Sequence, residues 1–295
     1  MVTIGINQST LCQLSPTALD AVCAGIADFG ATAVRFPVDW AVLSKLGFTT
    51  ADLTPVRNVK AALDAHGLTP LPVLGCHAPL FNGNATIFGK FVGKIVDVFG
   101  DIPAYEVWNE PNLWQFFTGG PKAFLPYLRA ATPIIRASGA KSIHGGLAAM
   151  KTGGFLIFTS TSAVDWLTGL YKAGEDDDYD LLGYHPYSLT PTAWADPATM
   201  PFGIAQIASL DILRAARGDT RPYAFTEVGF DTARVPAVAA SGYLTEQMQT
   251  LGACDVDSVW LFCWQDSIND GGSYGLVTAG NVPKRPLYDT ARAML

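Results

Sequence analysis

Two glutamates stand where apolar runs give way to polar residues: Glu110 in AYEVWNEPNLW (104–114) and Glu227 in RPYAFTEVGF (221–230). An ionised carboxylate at the end of a buried segment is costly unless it is paired or hydrogen-bonded. Two such groups in one fold favour a site over accident. Neighbouring carboxyl groups need not titrate alike. One in an apolar setting or beside another carboxylate is pushed up, while one held by an arginine and hydroxyl donors stays ionised. That split supplies an acid and a nucleophile from a single residue type, and the chemistry it serves best is cleavage of a glycosidic bond. In the retaining version the two carboxyl groups stand about 5–5.5 Å apart and one of them forms a covalent glycosyl-enzyme.

For the two glutamates to meet, the elements carrying them must end on one rim. The chain alternates short β-like runs with amphipathic helical stretches about eight times. Strands are expected at VTIGIN (2–7), TAVRFP (32–37), TPLPVLG (69–75), AYEVWN (104–109), KSIHGG (141–146), YDLLGYH (179–185), PYAFTEV (222–228) and SVWLFCW (258–264). Between them SPTALDAVCAGIADFG offers Ser15 as an N-cap and Pro16 at the first helical position, and TPVRNVKAALDAHG repeats the device with Thr54, Pro55 and a closing Gly67. In PKAFLPYLRAATPIIRASG, Pro126 and Pro133 are expected to kink or divide the helix. Continuous apolar strands separated by helices indicate a parallel sheet covered on both faces. The rival, an open doubly wound sheet, usually carries a glycine-rich turn after its first strand, and GINQSTLCQLSP has no GxGxxG. The expectation is an α/β fold, a (β/α)8 TIM barrel, as a single domain over residues 1–295; such a barrel typically needs about 250 residues.

In such a barrel the functional residues lie at the C-terminal ends of the strands. Read in order, these ends offer Arg35, Asp39 and Trp40; His77; Asn109 and Glu110; His185 and Tyr187; Glu227; and Trp264, Gln265 and Asp266. Each has a plainer reading. A lone arginine in an apolar strand is often a buried ion-pair partner, His77 alone would be a hydrogen-bonded structural histidine, Trp264 could be core, and the two aspartates could be loop caps. The loop after the fourth strand places Trp114, Phe116 and Phe117 beside Glu110, as sugar-stacking subsites or, for the two phenylalanines, as cover for the barrel rim. The loop DSINDGGSYG (266–275) is polar enough to bind hydroxyls or act as a lid. The run GEDDDYD (174–180) precedes the sixth strand, on the opposite face. It reads as a solvated turn, because the spacing of an EF-hand loop is absent.

Taken together, VWNEPN, GYHPY, FTEVGF and a tryptophan closing the eighth strand resemble the retaining glycoside hydrolases of clan A. The Asn-Glu-Pro-Asn form and TEVGF are particularly similar to family 39 and its relatives near family 5. The resemblance spans essentially the whole chain in strand order. It implies Glu110 as general acid/base and Glu227 as nucleophile, with Asn109 bonding the sugar 2-hydroxyl. It further implies that Arg35 and Tyr187 hold Glu227 ionised, that His77 and His185 line the sugar subsite, and that Trp264 is the platform under the sugar. Family 39 enzymes often carry an added β-sandwich, which is not expected here because YDTARAML follows so soon after the eighth strand.

Composition agrees with a neutral ligand. Only 15% of residues are charged against 49% hydrophobic, the net charge is −7, and no basic cluster exists that could neutralise phosphates, so nucleic acid is not an expected partner. Apolar stretches fall short of the roughly 20 residues that span a bilayer. MVTIGINQST shows no signal peptide, which leaves the location open. Five cysteines are scattered without metal-type spacing and are expected to be free and mostly buried. A monomer acting on carbohydrate without cofactor or metal is the expectation. Two alternatives stand beside it: a non-catalytic carbohydrate-binding barrel, and a metal-dependent hydrolase with His77, His185, Glu110 and Asp266 as ligands. HxH and HExxH spacings are absent, which weighs against the second.

Overall fold

The computed structural model describes residues 2–43, 52–75, 84–154, 159–187, 203–267 and 272–295. Ser15 opens the first helix, Pro16–Phe29, by accepting from the Ala18 N–H, and Gly30 closes it at φ 104°, a left-handed conformation that strains any side chain. The device repeats in altered form at Thr54–Ala65. There Thr54 is the first helical residue, not the cap, and the Asp52 carboxylate accepts its N–H at 3.0 Å. These helices and their successors connect eight strands: β1 Thr3–Asn7, β2 Ala33–Asp39, β3 Thr69–Gly75, β4 Ala104–Val107, β5 Lys141–Ala148, β6 Leu181–His185, β7 Tyr223–Val228 and β8 Val256–Leu261. All pairings are parallel and follow chain order, and β8 closes onto β1, so the sheet is the expected (β/α)8 barrel. Among the described residues no helix is long and apolar enough to cross a membrane.

Inside the barrel the side chains form tiers. At the N-terminal end, Ala33, Leu71, Ile143, Leu181, Ala224 and Trp260 make an apolar plug. Gly5 gives the Trp260 ring its space; a Cβ there would lie 2.3 Å from the indole. Above the plug the interior turns polar, with Asn7, Arg35, Glu106, Thr226 and His185 all buried. Outside the barrel the opposite faces of the strands pack on the helices through a larger apolar layer that includes Phe88, Trp108, Phe117, Phe124, Tyr127 and Trp166. Burying that layer stabilises the fold at roughly 25 cal/mol per Å² of apolar surface removed from water.

Three further expectations change here. Pro126 and Pro133 do not divide their helix, which runs unbroken as Gly120–Ala137. Burial of Phe124, Leu125, Tyr127, Leu128, Ala131 and Ile135 along it outweighs the missing backbone bonds. The acidic run 174–180 is a solvated turn only in part: Gly174, Asp176 and Asp177 are exposed, but most of its carboxylates are engaged in ion pairs. Glu175 is buried and pairs with Arg221 at 2.7 Å, Asp177 and Asp180 pair with Arg136 at 2.8 Å, and Asp178 meets Arg129 at 3.2 Å. Trp264 is not a platform over the barrel mouth. Because β8 ends at Leu261, strand alternation does not extend to Trp264. Its ring turns outward onto Phe29 at 5.5 Å and Tyr288 at 6.4 Å, with Gly25 leaving it room. Among the cysteines, Cys23 and Cys263 are buried, Cys12 and Cys254 half-buried, and all four are free thiols. Cys76 lies outside the described residues.

Trp264 is therefore a packing residue. Trp264→Ala is expected to lower unfolding free energy by about 3–5 kcal/mol in urea denaturation, whereas Trp264→Phe retains most of the stability.

Candidate active site

Arg35 on β2 projects into the barrel and is 4% exposed. Its Nε and one terminal nitrogen fork onto Glu106 at 2.6 and 3.0 Å. The other terminal nitrogen reaches Asn7 at 2.8 Å and Glu227 at 2.7 Å, and the remaining N–H goes to the Asn109 side-chain oxygen at 2.8 Å. Glu227 takes a second bond on its other oxygen, from the Tyr187 hydroxyl at 2.8 Å. Register shifts in β7 let both Thr226 and Glu227 reach this interior. Tyr187 follows β6, with its own N–H donating to the His185 carbonyl at 2.9 Å. Gln247 steadies that turn from the helix Ala237–Leu251 by donating to the Pro186 carbonyl at 3.0 Å.

Glu110 approaches from the opposite wall. Trp108 and Glu110 hold positive φ angles of 73° and 42°, conformations that non-glycine residues rarely adopt. Backbone bonds from Trp108 N to Leu74 O (2.7 Å) and from Glu110 N to Gly146 O (3.0 Å) fix them. The Asn112 side chain clamps the following turn to both backbone groups of Ala148 and to the Thr161 carbonyl. Glu110 then meets His185 Nδ1 at 2.9 Å, and the same nitrogen lies 3.7 Å from Glu227. An oxygen of Glu110 and an oxygen of Glu227 lie within 4.8 Å of each other.

Charge and burial act together on Glu227 and its neighbours. Burial pushes the Glu227 carboxyl up, but the charges of His185 and Arg35 and the bonds from Tyr187 and Arg35 outweigh it and hold the group below its ordinary value. For His185, burial pushes the imidazole down, while Glu227 and Glu110 prevail and leave it raised. Burial and the Glu227 charge push the Tyr187 phenol well up, which keeps it a donor. Glu110, His185 and Glu227 are close enough to face a divalent ion. However, the Arg35 guanidinium already supplies the cation on Glu227, and a second positive charge beside it would be repelled.

The structure thus brings Arg35, Asn109, Glu110, His185, Tyr187 and Glu227 together. Trp264 is excluded from the group, and His77 lies outside the described residues. Trp114 sits half-buried on the loop after Glu110, its N–H donating to the Ser160 hydroxyl at 3.3 Å. Phe117 belongs to the core, against Trp108, Phe124, Tyr127 and Trp166, and is no subsite. Asp266 is bound to Lys284 at 2.6 Å and to the Gly275 N–H at 2.8 Å, an ion pair within its own loop that leaves it a poor metal ligand. Sequence reasoning missed Glu106, although an ionisable residue inside an apolar strand must find a partner and was itself the signal. It also missed Phe262 and Tyr274, which pack on Tyr187 with ring centres 6.3 and 5.7 Å away.

No family model matches the sequence, and no curated protein matches it. Solved structures do match in fold. A family 39 glycoside hydrolase from the gut symbiont Bacteroides cellulosilyticus WH2 superposes with TM-score 0.74 at 18% identity, over 98% of this chain and 62% of that one. What the chain shares with that structure is the fold, a closed parallel (β/α)8 barrel. A Streptomyces cattleya enzyme of family 5, subfamily 18, in complex with GlcNAc, gives 0.73 at 18% identity over 99% and 79%. The exo-β-1,4-mannosidase Op5Man5 from Opitutaceae bacterium strain TAV5 gives 0.68 at 17% over 100% and 60%. The chain spans about three fifths of the length of the first and third of these neighbours.

The Glu227 shift has a stability consequence of definite sign. A carboxyl whose folded value is depressed contributes stability above its unfolded value and loses it as pH falls through the folded one. Wild-type unfolding free energy should therefore fall faster than that of Glu227→Gln as pH drops below 4.5, closing the gap between them in pH-resolved denaturation.

Proposed function

We propose that the protein is a retaining glycoside hydrolase in which Glu227 is the nucleophile and Glu110 the general acid/base. The observation that carries this reading is the approach of the two carboxyl groups to within 4.8 Å, with Arg35 and Tyr187 on Glu227 and an imidazole on Glu110. That separation suits direct attack, since an inverting pair stands about 6.5–9.5 Å apart to admit a water. In the first step a Glu227 oxygen attacks the anomeric carbon. The bond to the leaving oxygen breaks as Glu110 transfers its proton to that oxygen, leaving a glycosyl ester on Glu227. In the second step Glu110, now a carboxylate, removes a proton from water, whose oxygen displaces Glu227 and regenerates both groups.

The surrounding residues divide the work. Arg35 and Tyr187 keep Glu227 ionised before attack and stabilise it as a leaving group afterwards. Asn109 has its oxygen tied to Arg35, so its amide nitrogen is the end that donates to the sugar 2-hydroxyl, a contact that strengthens in the transition state. Phe262 and Tyr274 take the place under the sugar that Trp264 does not fill. The substrate is a β-linked oligo- or polysaccharide. Because one fold neighbour is an exo-β-1,4-mannosidase and another binds GlcNAc, β-mannosides and β-linked hexosamine-containing oligosaccharides head the substrate panel.

Glu227→Gln is expected to abolish turnover on every substrate, measured as reducing-sugar release across plant, fungal and bacterial glycans. Glu110→Ala should lose least on aryl glycosides with good leaving groups, and external azide should recover part of its rate as a glycosyl azide. Equal loss on all leaving groups with no azide product would remove Glu110 from the acid/base role.

A further inference from the structure

The two buried histidines of the barrel wall are bonded in opposite senses. His144 Nδ1 faces the Gly145 carbonyl at 2.9 Å, and its Nε2 faces the Trp166 indole N–H at 3.3 Å. A carbonyl can only accept and an indole N–H can only donate, so His144 is neutral and carries its hydrogen on Nδ1. Burial agrees, holding this imidazole down to about 4.

His185 is bounded differently. Its Nε2 lies 3.0 Å from the Thr226 hydroxyl, which in turn lies 3.1 Å from Glu106. Glu106 is forked by Arg35 and also accepts the Gly146 N–H at 2.8 Å, so it is an ionised acceptor. Thr226 has one hydroxyl proton, and the carboxylate takes it. The hydroxyl can then offer His185 only a lone pair, and Nε2 must carry a hydrogen. On the other side of the ring, Nδ1 meets Glu110 at 2.9 Å. Two lone pairs cannot face each other at that distance, so a proton lies between them, on Glu110 or on Nδ1. The one arrangement excluded is a neutral imidazole with its single hydrogen on Nδ1 beside ionised Glu110.

We infer that Thr226 is a positioning residue that fixes the hydrogen of His185 on Nε2 and thereby makes Glu110 and His185 share, and release, one proton as a unit. The link to catalysis rests on the acid/base reading of Glu110; the tautomer does not. Groups facing this pair are Glu227 from β7, Arg35 from β2, Glu106 from β4, Tyr187 after β6 and Tyr274 after β8. The space for the Thr226 bond is set by Gly146, where a Cβ would come within 2.0 Å of Nε2 and 2.5 Å of the hydroxyl. With a valine in place of Thr226, Nε2 loses its acceptor. The hydrogen can then move to Nδ1, where it bonds ionised Glu110 and lets the acid part with its proton at lower pH.

The test pairs a spectrum with a rate profile. Long-range ¹H–¹⁵N spectra of the imidazoles, with His185 assigned by its loss in His185→Asn, should show hydrogen on Nε2 of His185 and on Nδ1 of His144. Thr226→Val should populate the Nδ1–H form of His185 and move the basic limb of kcat/KM down by on the order of one pH unit. Thr226→Ser should restore both. A wild-type His185 that is neutral with hydrogen on Nδ1 overturns the inference without any variant. An unmoved basic limb in Thr226→Val, despite a changed tautomer, overturns the link to Glu110. Correct tautomers in a protein that hydrolyses no glycoside would refute the proposed activity and leave the Thr226 assignment standing.

Discussion

Everything at the barrel mouth depends on the buried guanidinium of Arg35. A guanidinium has five N–H donors in one plane, and here all of them are spoken for by Glu106, Asn7, Glu227 and Asn109. No other side chain offers so many donors in a fixed plane, and a lysine could not fork Glu106 while reaching Glu227. Removing one partner of such a buried pair costs on the order of 3–5 kcal/mol, because the other charge is left without compensation. The group sets the charge of the site as well as its shape. One cation faces two carboxylates, and the remaining negative charge is what draws a proton onto the His185 side of the cavity.

From that centre the strand ends acquire their roles. β2 supplies the cation, β4 its structural counter-ion and, one turn of chain later, the second carboxyl. β6 supplies the imidazole and the phenol, and β7 the carboxylate they all address. Glycines in β5 and β6 make room. A Cβ at Gly183 would meet the His144 carbonyl at 2.1 Å, and one at Gly145 the Trp108 carbonyl at 2.4 Å. Those close approaches let strands carrying large polar side chains sit near enough for their tips to converge.

Much of this was legible in the sequence, and the reasons are specific. Strand order, the ends at Glu110 and Glu227, and the polar company of His185 and Tyr187 follow from apolar runs stopping at polar residues. Trp264 was misplaced because an apolar run does not reveal where a strand stops hydrogen-bonding, and β8 stops before it. Glu106 was passed over although a carboxylate inside an apolar strand must find a partner, because the sequence does not show which residues satisfy it; in the fold they are Arg35, the Gly146 N–H and Thr226. Thr226 could not have been found, since its role depends on a register shift in β7 that brings two adjacent side chains to the same interior. At 18% identity the likeness to known barrels is one of fold, so the chemistry must be argued from the site's own contacts.

In the proposed reaction Glu227, held ionised by Arg35 and Tyr187, attacks the sugar. The most direct test is peptide mapping by mass spectrometry after incubation with a panel of 2-deoxy-2-fluoro glycosides bearing good leaving groups, the manno- and gluco-configured compounds included. A single fluoroglycosyl ester on the peptide containing Glu227 is expected. An ester on Glu110 with Glu227 unmodified would contradict it.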